Sequence, residues 1–86
     1  MGALIVYLTS APAGGELEAR PKGDDGRRFH TGVHSRATAE GEVLAAVFPA
    51  VAEGTYELLD LKGAPDATVI ATADVVGGEV CEIDLR

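Results

Sequence analysis

Short stretches rich in Val, Ile, Leu, Thr and Tyr recur along the chain, separated by Gly, Pro and Asp. That spacing belongs to many short strands folded into a sandwich or barrel. The pattern predicts strands near residues 3–8, 16–20, 29–38, 43–48, 55–61, 68–75 and 79–85. No stretch has the length and 3.6-residue period of an amphipathic helix. The expected fold class is therefore all-β. A chain of 86 residues makes one domain, 1–86, in which every strand must feed a single shared core.

Two segments sharpen the expectation. In "VVGGEV" a two-residue turn on Gly77 and Gly78 would set Cys81 opposite Asp74, mixing core and solvent faces. A three-residue loop, Val76 to Gly78, instead sets Cys81 opposite Ala73, Ile83 opposite Ala71 and Leu85 opposite Val69. Register follows the buried face, so the longer loop is expected, with one glycine left-handed and Cys81 packed as a small hydrophobe. In "VFPAVAEGTYELL" the preceding apolar run from Val43 should end at Pro49, which cannot donate to a ladder. Gly54 then supplies a turn with positive φ, and Tyr56 can bury its ring while its hydroxyl bonds backbone across the corner.

Together, "VFPAVAEGTYELL" and the closing "GGEVCEIDL" resemble the transthyretin-like and carboxypeptidase-regulatory-like families. In those, a "p-GtY-l" corner precedes the last two or three strands. The resemblance spans Val43 to Leu85. It implies a small antiparallel β-sandwich of about seven strands, of Greek-key type. It also implies a non-catalytic companion of enzymes, receptors or transporters. An enzymatic branch, the hydroxyisourate hydrolases, works with histidines, an arginine and a C-terminal "YRGS". This chain ends "CEIDLR" with no histidine after residue 34, so none of that branch's catalytic residues carries over.

Composition narrows the function classes. At 47% hydrophobic and 24% charged, the chain lies well away from the disordered class. With two Phe, two Tyr and no Trp its core is thin, so a partner or a second copy would add to it. A net charge of −7 argues against nucleic acid or an anionic membrane as partner. A single cysteine makes no internal disulfide, and the apolar run at residues 3–8 is too short for a signal peptide or a membrane span. A cytoplasmic protein is expected. The charge is unevenly spread: Arg20 to Arg36 holds five basic residues against Asp24 and Asp25, while the remainder is strongly acidic.

The basic stretch contains "RRFHTGVHSR", with both histidines of the chain. On a helix, His30 and His34 would share one face as a metal pair. Gly32 and the β-formers Phe29, Thr31 and Val33 argue for a strand instead. Strand rise then separates the two histidine backbones by ~13 Å, too far for one zinc ion. Alternation puts Phe29, Thr31, Val33 and Ala37 inward, with Ser35 beside Val33, and His30, His34 and Arg36 outward. Neither Ser10 nor Ser35 sits in a nucleophile elbow, and the glycine pairs lack the Lys and Ser/Thr of a phosphate loop.

What remains is an interaction surface of Arg27, Arg28, His30, His34 and Arg36, which suits an acidic or polar partner and would be pH-sensitive. The expected function is a non-catalytic accessory domain binding another protein or copies of itself, without metal or cofactor. The alternatives are a small hydrolase or metal-dependent enzyme with its site assembled between subunits, and a small-ligand carrier.

Overall fold

The computed structural model describes residues 1–11, 15–60 and 67–86. They form seven strands: β1 (Gly2–Leu8), β2 (Glu16–Pro21), β3 (Phe29–Thr38), β4 (Gly41–Val51), β5 (Gly54–Leu59), β6 (Val69–Val75) and β7 (Val80–Asp84). A 3-10 turn, Asp25–Arg27, links β2 to β3, and no α-helix occurs among the described residues. Each strand read from the apolar pattern is present. The expected fifth strand ends at Leu59, and Leu61 lies outside the described residues.

The strands make one mixed sheet in the order β6-β5-β2-β3-β4-β1-β7, curled nearly into a barrel. The hinge of that curl is β3. Its first half, Phe29 to Gly32, pairs with β2, and its second half, Val33 to Thr38, pairs with β4. The strand thus passes from one half of the sheet to the other, and the two halves face each other across the core.

Two expectations are corrected at the chain ends. The sheet is not wholly antiparallel, because β1 and β7 pair in parallel, Leu4 beside Cys81 and Val6 beside Ile83. The expected β6–β7 hairpin ladder is absent as well: β6 pairs with β5, and β7 pairs with β1. The physical reason sits at Gly2. A Cβ there would lie 2.5 Å from the Val76 carbonyl oxygen and 2.9 Å from that of Glu79. Lacking one, the start of β1 packs directly on the turn after β6. Gly78 N donates to Met1 O (2.9 Å) and Ala3 N to Glu79 O (3.0 Å), and β7 is delivered to β1. The expected left-handed glycine of this turn is Gly78, at φ +78°.

The core is built from Leu4 and Val6 of β1, Leu17 of β2, Ala46 and Phe48 of β4 and Leu58 of β5, all buried. Phe29 meets Phe48 and Tyr56 edge-on, with ring centroids 5.3 and 5.6 Å apart. Such pairs add about 0.5–1.5 kcal/mol each beyond their buried area. The Tyr56 hydroxyl donates to Ala52 O at 2.6 Å, so the corner read from "AEGTY" is present.

Pro49 does not end its strand. Gly2 pairs with Val51 and Leu4 with Phe48, so β4 carries an extra residue in a bulge around Pro49. By that point β4 has left β3, whose last partner on this side is Ala46, and a missing N–H costs no ladder bond. At the other end, β3 and β4 run on together as an arm. Ser35 and Ala37, expected inward, are exposed there, because β2 stops pairing at Gly32, before the arm begins.

Candidate functional site

The handover within β3 divides the basic segment between the two halves of the sheet. Arg28 and His30 fall beside β2, and His34 and Arg36 fall beside β4. The consequences differ for each half.

Beside β2, the cations meet carboxylates. The register sets Glu18 opposite His30 and Glu16 opposite Gly32, so β2 presents its glutamates to the outer face of β3. Arg28 Nη1 lies 3.0 Å from Glu18 Oε1, with the two side chains only 13% and 6% exposed. His30 Nε2 lies 3.2 Å from Glu16 Oε2. One strand further, Arg20 Nε donates to Glu57 Oε1 at 3.0 Å. The positive bias seen along the chain is therefore largely cancelled in space, and Arg28 belongs to the interior of a charge ladder. Arg27 stays exposed: Asp24 accepts from Gly26 N (3.2 Å) at the head of the 3-10 turn, which holds Arg27 at the tip.

Beside β4, the side chains are open. His34 and Arg36 are both exposed. The His34 imidazole lies back over Gly32, where a Cβ would come within 2.7 Å of Nε2. Glycine at this position leaves room for the Nε2 edge of the ring. Across the ladders, His34 pairs with Ala45 and Ala45 with Tyr7, while Arg36 pairs with Val43 and Ile5 with Val47. Ile5, Val43 and Val47 are half-buried. The outer face thus has an apolar centre with His34 and Arg36 along one side.

The opposite side is a cluster that sequence reasoning missed. Tyr7 Oη donates to Glu82 Oε2 at 2.6 Å, across 75 residues of sequence. The Arg86 guanidinium lies 5.3 Å from the Tyr7 ring centroid and grips Asp84 through Nε (3.0 Å) and Nη2 (2.9 Å). That grip lowers the Asp84 carboxyl to about 2. The hydrogen bond to Glu82, followed by desolvation, raises the Tyr7 phenol, while Arg36 and Arg86 pull it the other way. The cluster exists only because β7 lies parallel to β1. The single sequence signal for it was the alternation that turns Ile5 and Tyr7 outward from an apolar strand.

No family model, curated protein or solved structure matches the chain. Its surface chemistry has to speak for itself.

Among the described residues, no group of three His, Cys, Asp or Glu side chains is placed to hold a metal ion. Ser10 and Ser35 are both exposed, and Ser35 points to the opposite face of β3 from His34. Cys81 is half-buried against the core, the packing role its position suggested. No helix among the described residues is long and apolar enough to cross a membrane. The arrangement offers planar Arg and imidazole donors beside an apolar sheet face, which suits recognition of another surface.

Proposed function

We propose that the chain is a non-catalytic protein-interaction module, binding a partner protein or a second copy through the outer face of β3, β4 and β1. The observation that carries this reading is the juxtaposition of exposed His34 and Arg36 with the apolar row of Val43, Ala45, Val47 and Ile5. Interfaces combine an apolar centre with a polar rim, and arginine is enriched in them. Arg28 and His30, held by Glu18 and Glu16 on the neighbouring half of the sheet, serve as scaffold, and Arg27 stays exposed at the turn before β3. The Tyr56 corner supports the finer assignment to a Greek-key module of the transthyretin-like kind, whose members accompany other proteins.

The test replaces His34 and Arg36 together with Ser and leaves Arg28 in place. Recovery of bound protein from the native cell extract, and self-association by sedimentation, are measured beside the melting temperature. Loss of association with an unchanged melting temperature is the expected result. Undiminished association in the double variant overturns the proposed face.

A further inference from the structure

The two strands the sequence expects to pair, β6 and β7, are the two ends of the sheet order. Followed round the pairings, they run in opposite directions. Yet among the described residues no ladder joins them, and a backbone hydrogen bond is made only at the connecting turn, where Glu79 N donates to Val76 O at 3.1 Å. Exposure along the inner side of β6 describes the gap. Val75 and Ala73, near the turn, are 2% and 1% exposed, Ala71 is half-buried, and Ile70, at the bulge of β6 against β5, reaches 40%. Facing them, Cys81, Ile83 and Leu85 are only partly covered. Among the described residues the seam is a wedge, closed at the turn and open at the far end. There a cavity of about 400 Å³ lies between Leu8, Asp60, Ile70 and Leu85.

The backbone of β7 is available along this wedge. Glu79 O accepts from Ala3 N, and Leu85 N donates to Tyr7 O. Strand alternation therefore turns the amides and carbonyls of Val80, Glu82 and Asp84 away from β1 and into the seam. The rim is acidic, with Asp74 on β6, Glu79 in the turn, and Glu82 and Asp84 on β7 all exposed. Arg86, which lies among them, is engaged by Asp84.

We propose that this seam accepts a β-strand from a partner protein: an extended segment in which apolar residues alternate with Lys or Arg. Main-chain bonds to Val80, Glu82 and Asp84 supply the pairing. The apolar side chains fill the wedge over Ala71, Ile83 and Leu85, and the cations lie outward between the carboxylates of the two rims. A second copy is the poorer occupant. Its own open edges, β6 and β7, carry Asp74, Glu82 and Asp84, so edge-to-edge pairing sets like charges opposite each other. The seam lies on the far side of β7 from His34 and Arg36, and the proposal stands without the face proposed above.

The test uses the full isotopically labelled chain and two capped heptapeptides, one alternating Val with Lys and the other Val with Glu. With the Lys peptide, amide shifts and slowed hydrogen exchange are expected at Val80, Glu82 and Asp84 and along β6. The Glu peptide should bind roughly tenfold or more weakly, the sum of a few cross-strand charge pairs. The double variant Glu79→Gln/Glu82→Gln should narrow that difference. Equal binding of both peptides, binding of neither, or shifts confined to another face overturns the proposal. So does concentration-dependent self-association that protects the same amides, which would make the occupant a second copy.

Discussion

Arg28 and Arg36 are eight positions apart in one basic stretch, and the fold gives them different work. Arg28 is enclosed with Glu18, and removing one member of such a pair leaves a charge without compensation, at a cost of about 3–5 kcal/mol. Arg28→Ser or Glu18→Gln should therefore lower the urea midpoint sharply. Arg36→Ser, at an exposed position, should stay within about 0.5 kcal/mol of the parent. Equal effects from both would mean that Arg28 is not part of the scaffold. Asp84 gives a second residue-scale test. Its carboxyl sits at about 2, below the ordinary 3.8, because Arg86 binds its charged form. A lowered value means the contact contributes above the ordinary value and is lost as pH falls through the folded one. Solvent exposure keeps its effect on stability small, so the observable is the side-chain titration itself. Arg86→Ala should raise the midpoint part of the way to the ordinary range, because the residue-86 backbone N–H still donates to Asp84, and an unmoved midpoint would contradict the assigned side-chain cause.

Among the elements, the strands could be read from alternation, but not all of their partners could. Phe29 to Thr38 is periodic along its whole length, and its limits follow from that. The exchange of partners halfway along β3 leaves no mark on the period, so the separation of Arg28 and His30 from His34 and Arg36 was hidden. The β6–β7 register failed for a related reason. Pairing Cys81 with Ala73 satisfies the buried face, but so does placing Cys81 beside Leu4, and local pattern does not choose between them. The choice rests on Gly2, whose closeness to the Val76 and Glu79 carbonyls is a tertiary fact. Gly2→Ala should cost on the order of 1–3 kcal/mol through that clash. Its hydrogen exchange should rise first at Ala3 and Cys81, where β1 and β7 pair. Unchanged exchange there would show that the turn accommodates the methyl group without releasing β7.

Across the whole molecule, a sequence divided into a basic segment and an acidic remainder folds so that much of the division disappears. Glu16, Glu18 and Glu57 meet His30, Arg28 and Arg20, which the linear charge count could not anticipate. What survives is smaller and better defined: a basic margin at His34 and Arg36 on one sheet face, and an acidic rim along the open seam. The all-β class and the Tyr56 corner were legible because they depend on neighbours within a few residues. The Tyr7–Glu82–Arg86 cluster was not, since it joins the two ends of the chain. The central claim, that the chain works by binding through the face around His34 and Arg36, is tested most directly by crosslinking in the native cell. A photoreactive amino acid is placed at position 36 in one chain and at position 57, on the other half of the sheet, in a second. The expected result is a discrete crosslinked product from position 36 and none from position 57; crosslinking from 57 alone, or equally from both, contradicts the account.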